Sequence, residues 1–283
     1  MLLSVASLKE KQTFAGQIAY MNSLFGRALG DAEAGTQNAI DQHSYTESEW
    51  DEVLLALNHG YVSDELRDGL SDCLTTSIGS IWRAGVDTQY YFTQTIAEIR
   101  GGFAHVNSTE RNLLTVEFEE YRDEIDTLVK DIATSLKTKN YTNEKFCQDL
   151  DKLINALIHI SVFIGVDPVD DLYAVTVSNV SKLCYGTTSL DSTYSKYAAI
   201  GIKLFHKEVE HDVYAVYSLG DQVDCHGKKY EANKFLKSVE FMDPVFAPMV
   251  KHSPIEAAHA AAAVDIVQNT PKIELVGEDG KPI

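Results

Sequence analysis

Two pairs of acidic side chains stand close together in the first third of the chain. Glu49 is followed three residues later by Glu52, and Glu65 is followed three residues later by Asp68. Residues three apart on a helix lie on the same side, about one turn apart. On antiparallel neighbouring helices, the two pairs would offer several hard oxygen ligands to one volume. This arrangement suits Mg²⁺, with Mn²⁺ as the alternative ion.

The surrounding sequence predicts two helices joined by a short turn. Thr46 followed by Glu49 is a start signal of the capping-box type, and residues 58–60, Asn-His-Gly, are a stop signal. Ser63 is placed to cap the second helix, which runs toward Gly85. The first helix has an apolar stripe formed by Trp50, Val53, Leu54 and Leu57. Two helices joined so closely are expected to be antiparallel neighbours.

Acidic helix faces also have a simpler interpretation. Glu and Asp on helices usually form solvated faces, and the capping box alone would explain Glu49. Asp72 extends the acidic face by one more turn. Four converging carboxylates without a cation would raise one another's pKa values and repel, so a metal ion is their natural counter-charge. Both interpretations follow from the pattern.

The second half of the chain carries a weaker copy of this plan. Residues 65–87 and 145–167 share two apolar positions and the same Gly-Val-Asp ending. The copy keeps Glu117 and Glu120 but has no second acidic pair, and Lys152 stands where the first half has Asp72. We therefore interpret the acids of the second half as a solvated or vestigial face.

The acidic quartet resembles a known family pattern. Glu49-x-x-Glu52, twelve residues and then Glu65-x-x-Asp68 is similar to the E-x-x-E…E-x-x-D pattern of the all-α nucleoside triphosphate pyrophosphohydrolases, the MazG and phosphoribosyl-ATP pyrophosphohydrolase superfamily. The stretch SNVSKL, residues 178–183, resembles the Asn-x-x-Lys element that follows the helices in that family. The stretch KFLKSVEFMDP resembles the Lys-containing tail of phage-encoded members. The resemblance covers about residues 45–245.

The resemblance implies a role for each matched position. It implies Mg²⁺ held by Glu49, Glu52, Glu65 and Asp68, which are also the catalytic candidates, with Asp72 as a nearby ligand. It implies substrate contacts from Asn179 and Lys182, and weaker phosphate contacts from Lys234 and Lys237, whose alternative is a solvated surface. The implied reaction converts a nucleoside triphosphate to monophosphate and pyrophosphate. A dUTPase-like or phosphoribosyl-ATP-like specificity, and a catalytically silent nucleotide-binding protein, are the alternatives.

The chain departs from the family in a way that predicts a fused dimer. The first half keeps the acids but lacks an Asn-x-x-Lys element at the matching distance, whereas the second half has the opposite content. We expect a first repeat over residues 1–92, a degenerate repeat over 93–190 and a C-terminal extension over 191–283. One working site per pseudo-dimeric chain follows, with further homo-oligomers allowed. Candidate aromatic residues for a base pocket are Trp82, Tyr90, Tyr91, Phe92 and Tyr173.

Composition bounds the remaining properties of the chain. Its 24 basic and 42 acidic residues give a formal charge of −18, which disfavours nucleic acid and anionic lipid as partners. Four scattered cysteines and the lack of a basic leader favour the cytoplasm. Apolar residues recur at helical spacing over most of residues 1–182. The predicted fold is mainly all-α, with a small β or irregular appendage and a C-terminal tail.

Overall fold

The computed structural model describes residues 18, 21–22, 24–25, 35–59, 63–84, 111–138 and 143–248. Along these residues it is mostly helical, with α1 (Gly35–Ala56), α2 (Asp64–Arg83), α3 (Arg111–Lys137), α4 (Asn143–Phe163), α5 (Pro168–Ser181) and α6 (Gly186–Ala198). Short strands follow α5: β1 (Cys184–Tyr185), β2 (Leu204–Glu210), β3 (Val213–Ser218), β4 (Gln222–Val223) and β5 (Lys229–Tyr230). The prediction of a mainly α fold with a small β appendage is confirmed.

The turn between α1 and α2 is defined by a helix cap. After Ala56 the chain makes one 3₁₀ turn over Leu57–His59. The side chain of Ser63 then accepts a hydrogen bond from the backbone N–H of Leu66 at 3.1 Å, which satisfies one of the free donors at the start of α2. The predicted cap at Ser63 is confirmed.

The predicted helix start at Thr46 is wrong, because α1 begins at Gly35. Thr46 lies in the middle of α1 and is fully buried. Its hydroxyl donates to Oγ1 of Thr76 on α2 at 2.9 Å, so it joins two helices and does not cap one. Glu49 is therefore not part of a helix cap, and the role of Glu49 depends on what surrounds its carboxylate.

A glycine lets α1 and α2 approach each other closely. A Cβ atom built on Gly69 would lie 2.8 Å from Cγ2 of Val53, which is closer than packed carbon atoms come. The Thr46–Thr76 and Val53–Gly69 contacts together fix the antiparallel register of the two helices. In this register Glu49 and Glu52 stand beside the turns of α2 that carry acids.

The helices of the second half pack on this pair and share its core. Nε2 of His43 on α1 lies 3.0 Å from the backbone carbonyl oxygen of Val129 on α3, and Nε1 of Trp50 donates to Asp126 at 3.3 Å. One continuous apolar cluster includes side chains from each of α1 to α5. The proposed boundaries between repeats stay a prediction.

The second Gly-Val-Asp sequence reverses the chain between α4 and α5. Gly165 has a φ of 84°, a backbone conformation that favours glycine. Asp167 then caps α5, with its carboxylate accepting from the N–H of Val169 at 3.0 Å, and Pro168 occupies the first helical turn. The first Gly-Val-Asp, residues 85–87, and the predicted tail after residue 248 lie outside the described residues.

The β appendage lies directly after the end of α5. Strands β1, β3 and β2 form an antiparallel sheet in that order, with Cys184 opposite Tyr214 and Leu204 opposite Ser218. Strands β4 and β5 form a separate pair, and an isolated bridge joins Tyr217 to Phe235. The ring of Phe235, one of the two bridge residues, packs against the ring of Phe25. In the described part of the chain, no helix has the length and apolar character needed to span a membrane.

Candidate functional site

One cavity brings residues from both halves of the chain together. It has a volume of about 240 Å³ and lies between α1, α2, the end of α5 and the β3 strand. Four of the residues singled out from the sequence line it: Glu49, Asp72, Asn179 and Lys182. The other lining residues are Met21, Asn22, Phe25, Gln42, Tyr45, Thr75, Thr76, Tyr217 and Phe235. The cavity is therefore charged in one part and neutral, polar and aromatic in the rest.

The acids around this cavity influence one another's ionisation. Burial and the negative charges of Asp72, Glu52 and Asp68 raise the pKa of Glu49 to about 8. Burial and Asp68 raise the pKa of Asp72 to about 7. Burial and Glu52 also raise the pKa of Asp68. Because like charges in a partly buried volume disfavour ionisation, this group cannot carry all its negative charges at neutral pH without a counter-charge.

The Asn-x-x-Lys element reaches these acids from α5. Nζ of Lys182 donates a hydrogen bond to Oδ1 of Asn179, one turn earlier. The Asn179 side chain in turn hydrogen-bonds Asp72 and acts to lower the pKa of that carboxyl. Burial lowers the pKa of Lys182, and the charges of Asp72, Asp68 and Glu49 oppose this change. The amide of Asn179 therefore connects the ammonium group to the acidic group.

Lys237 lies close enough to this charged group to interact with it electrostatically, whereas Lys234 does not contact it. Lys237 acts on the pKa of both Asp68 and Lys182. Its Nζ lies 3.7 Å from the ring centroid of Phe241 and 3.9 Å from Oδ1 of Asp243. The side chain of Lys234 is exposed, and in the described residues no contact joins it to the acids.

Glu65 is the one member of the predicted quartet that the structure does not bring to the others. It is exposed in the first turn of α2, and no interaction within the described ranges couples it to the other acids. The helix register gives the reason. Val53 lies against Gly69, and the two helices are antiparallel, so Glu65 lies beside the segment just after Ala56, where α1 ends. No acid of α1 therefore lies opposite Glu65. Asp72, which also lines the cavity, faces Glu49 instead.

The donor set of this group fits a hard divalent cation. Glu49, Glu52, Asp68 and Asp72 supply only oxygen donors, which Mg²⁺ and Mn²⁺ prefer. Burial, followed by the charges of the neighbouring acids, raises the pKa values of Glu49 and Asp72. In the described part of the molecule, no three Asp, Glu, His or Cys side chains already surround one metal position. Side-chain rearrangement would accompany metal binding.

A buried ion pair holds α5 against α2 beside this site. Nε of Arg67 lies 2.8 Å from Oδ2 of Asp171, and Nη2 lies 2.6 Å from Oδ1. Both side chains are almost fully buried. Arg67 precedes Asp68 in α2, and Asp171 lies on α5, which carries Asn179 in its last turn and is followed by Lys182. The ion pair therefore fixes α2, which carries Asp68 and Asp72, relative to α5, which positions Asn179 and Lys182.

Sequence reasoning missed most of the neutral part of the cavity. Of the five candidate aromatic residues, Trp82 and Tyr173 do not line it, and residues 90–92 lie outside the described residues. The aromatic side chains that line it are Phe25, Tyr45, Tyr217 and Phe235. The available signal was the polar run Thr75-Thr76-Ser77 within an amphipathic helix, and all three residues are buried. Its position indicates polar contacts inside the helical bundle.

Comparison with known proteins adds no relative to this description. No protein-family model matches the chain, and it matches neither a curated protein nor a solved structure.

Proposed function

We propose that this chain is a divalent-metal-dependent nucleoside triphosphate pyrophosphohydrolase that converts a (d)NTP to (d)NMP and pyrophosphate. One observation carries the proposal: a single cavity is lined by Glu49 and Asp72 from one side and by Asn179 and Lys182 from the other. Binding of a triphosphate requires a metal cation, which the acids can hold, and a positively charged side chain next to the phosphate oxygens, which Lys182 can supply. The negative charge of the whole chain makes such a local arrangement necessary.

The acidic group is where we place the cation. Glu49, Glu52, Asp68 and Asp72 would hold Mg²⁺, or Mn²⁺ in its place. When bound, the ion would supply positive charge that offsets the phosphate oxygens and favours loss of a proton from water. Asp68 and Asp72 lie on the same face of α2, and Glu49 and Glu52 lie on the same face of α1. The close approach at Gly69 holds these two faces together.

The remaining residues orient the substrate and move one proton. Lys182 donates hydrogen bonds to phosphate oxygens, and Lys237 adds positive charge at the edge of the site. A carboxylate of the acidic group accepts the proton of a water molecule as its oxygen attacks the α-phosphorus. The bond between that phosphorus and the bridging oxygen breaks, and pyrophosphate leaves with the electron pair. No protein nucleophile is required.

The distribution of the site over the chain supports the fused-dimer hypothesis. The acids belong to α1 and α2 of the first half, whereas Asn179 lies in the last turn of α5 and Lys182 directly follows that helix in the second half. We propose that the activity controls the nucleotide pool of the cytoplasm. If a phage encodes the protein, this is the cytoplasm of the infected host cell. A dUTPase-like or phosphoribosyl-ATP-like specificity belongs to the same chemistry.

A catalytically silent nucleotide-binding protein is the second candidate function. It is favoured by one observation, namely that Lys182 and Asn179 already interact with the acids in the arrangement described. In this candidate the ammonium group is the permanent counter-charge, and phosphate groups bind without being cleaved. The two functions differ in whether product is formed.

Product analysis tests both candidates. The purified protein is incubated with each NTP and dNTP and Mg²⁺, and monophosphate, diphosphate and pyrophosphate are resolved. We expect monophosphate and pyrophosphate in equal amounts, with no diphosphate. Glu49→Gln and Asp72→Asn should each lower the rate by about 100-fold or more, because each removes a ligand charge. Glu120→Gln, at an exposed acid of α3, is the matched control. Nucleotide binding without any cleavage would establish the silent protein instead.

A further inference from the structure

The neutral part of the cavity contains a buried hydroxyl group without a partner. Thr75 is only 7% exposed, and its Oγ1 has no hydrogen-bond partner among the described residues. The same side chain lines the cavity. A buried hydroxyl left without a hydrogen bond is costly, so native proteins usually supply a partner. A polar group of a ligand in the cavity would satisfy it.

Two buried amide side chains stand near this hydroxyl. Asn22 is 4% exposed and Gln42 is 3% exposed, and both line the cavity. They meet over Gly79 of α2, where an added Cβ would lie 3.0 Å from Nε2 of Gln42 and 3.5 Å from Nδ2 of Asn22. Gly79 therefore leaves the space that both amides occupy. Nδ2 of Asn22 already donates to the backbone carbonyl oxygen of Ile18 at 2.9 Å. Because a side-chain amide has two donor hydrogens and an acceptor oxygen, and a hydroxyl can both donate and accept, the three side chains suit a ligand with both kinds of group.

Aromatic side chains line the cavity together with these polar groups. The rings of Phe25 and Phe235 meet edge to face with centroids 5.1 Å apart, and the centroids of Tyr217 and Phe235 are 5.6 Å apart. All three side chains line the cavity. A flat ligand with a polar edge fits such surroundings, because aromatic side chains pack against its faces and hydrogen-bonding groups bind its edge.

The spacing along α2 gives the distance from the acids of the cavity to its neutral polar groups. From Asp72 to Gly79 the helix rises about 10 Å, at about 1.5 Å per residue. Thr75 lies between these positions, one turn beyond Asp72. This distance is comparable to the extent of a nucleotide from its α-phosphate across the sugar to the base. A nucleotide with its phosphates at the acids would therefore place its base near Thr75, Asn22 and Gln42.

We propose that Asn22, Gln42 and Thr75 recognise the hydrogen-bonding edge of the nucleobase and that Gly79 keeps the two amides in position. The inference rests on the proposed function, because it assigns the base of the same triphosphate substrate. It makes Thr75 and Gly79 determinants of base selectivity. Neither residue takes part in the cleavage of the phosphate bond.

Two variants separate this role from a structural one. Thr75→Val keeps the side-chain shape and removes a hydroxyl that lacks a partner, so it should keep or raise the melting temperature. Gly79→Ala introduces a better helix former but moves the amide of Gln42, whose Nε2 would lie 3.0 Å from the new Cβ, so its melting temperature is measured beside its base selectivity. Ser77→Ala is the matched control, because Ser77 is also buried in α2 with an unpartnered hydroxyl but does not line the cavity.

The measurement is kcat/KM for dATP, dGTP, dCTP, dTTP and dUTP, and for deoxyribose 5-triphosphate, which has no base. We expect the wild-type protein to prefer one base at least tenfold over the others. Thr75→Val and Gly79→Ala should each lower the ratio between the preferred nucleotide and the base-free triphosphate by about tenfold, the effect of losing one specific hydrogen bond. Ser77→Ala should leave this ratio as it is.

Calorimetric binding of the five deoxynucleoside monophosphates keeps the two proposals distinguishable. If triphosphates are hydrolysed but neither variant changes the ratio, base recognition by these residues is refuted and the proposed function stands. If no triphosphate is hydrolysed, tenfold weaker monophosphate binding by Thr75→Val supports base recognition in a silent protein. If the wild-type protein binds no monophosphate and cleaves no triphosphate, both proposals are refuted.

Discussion

Arg67 and Asp171 form a two-point ion pair between α2 and α5, with nitrogen-to-oxygen distances of 2.8 and 2.6 Å. Arg67 also lies 4.7 Å from the ring centroid of Phe246, so its guanidinium contacts the segment that follows the β appendage. Asp68, the next residue of α2, belongs to the acidic group. The ion pair therefore links the stability of the helical bundle to the geometry of the candidate site.

Breaking this ion pair should strongly destabilise the protein. In Asp171→Leu, the guanidinium of Arg67 would stay buried without its counter-charge, which typically costs about 3–5 kcal/mol. Replacement of both partners, as in Arg67→Met with Asp171→Leu, should restore most of the free energy of unfolding, because an apolar pair avoids the buried charge. Urea denaturation of the wild-type protein and these two variants measures these values.

An exposed ion pair provides the control for this experiment. Nζ of Lys130 lies 2.6 Å from Asp126 on the surface of α3. Lys130→Ala should cost no more than about 1 kcal/mol, as is usual for exposed pairs. If Asp171→Leu cost as little as this control, the ion pair would not be the link between α2 and α5 that we infer.

The raised pKa values predict that stability without metal falls as the pH rises. Glu49 has a pKa raised from 4.5 to about 8, so its protonated form is favoured in the folded state. Its contribution to stability is complete below pH 4.5 and is lost as the pH approaches about 8. In EDTA, the melting temperature should therefore be lower at pH 8 than at pH 5. Glu49→Gln cannot ionise there and should weaken this dependence.

The comparison with the variant isolates Glu49 from histidine titration. Burial lowers the pKa of His43, so His43 makes the protein more stable as the pH rises toward 6.5, the opposite direction. This contribution is present in both proteins and cancels in the difference. Equal slopes for wild type and Glu49→Gln between pH 5 and pH 8 would contradict the assigned surroundings of Glu49.

Mg²⁺ should stabilise the protein through the acids that the structure brings together. A ligand that binds only the folded state at about 100 times its Kd adds about 2.7 kcal/mol to the free energy of unfolding. Asp68→Asn and Asp72→Asn should reduce the rise in melting temperature caused by Mg²⁺. Glu65→Gln should retain most of it, because Glu65 is exposed and lies beyond the end of α1.

This experiment also decides between two views of Glu65. The family resemblance implies that Glu65 is a ligand, whereas the helix register leaves it without an opposing acid. A loss of the Mg²⁺ effect in Glu65→Gln as large as in Asp68→Asn would support the resemblance. It would also mean that the first turn of α2 moves toward α1 when metal binds.

The sequence was sufficient for local features and insufficient for contacts between distant segments. Helical spacing and the Ser63 cap predicted the helices and one of their boundaries, because both depend on residues within one or two turns. Thr46 was misinterpreted because a capping box and a buried contact between helices require the same residue type. Which helix Thr46 faces is decided by tertiary packing.

The candidate site shows the same division. The acids and the Asn-x-x-Lys element were found as local patterns, and the cavity brings Asn179 and Lys182 to Glu49 and Asp72. The Arg67–Asp171 pair joins residues 104 positions apart, and no local pattern marks it. Two of the four aromatic residues that line the cavity, Tyr217 and Phe235, come from the β appendage, whose packing on the helices depends on the whole fold.

Gly69 offers a test of the close approach between α1 and α2. In Gly69→Ala the new Cβ would lie 2.8 Å from Cγ2 of Val53, so the helices must separate or Val53 must move. Such overpacking typically costs about 1–3 kcal/mol, which outweighs the gain of up to about 1 kcal/mol from replacing glycine in a helix. Gly69→Ala should therefore lower the melting temperature. It should also weaken the stabilisation by Mg²⁺, because Glu49 and Asp72 would stand further apart.

The double variant Gly69→Ala with Val53→Ala distinguishes overpacking from other effects of the new methyl group. Val53→Ala alone removes a fully buried side chain and should be destabilising. In the double variant the new methyl group of residue 69 occupies space that Val53 has vacated. The two free-energy changes should thus fall short of their sum by about 1 kcal/mol or more. Additive changes would show that Gly69 is not required for contact between the helices, and the register that brings the acids together would need another cause.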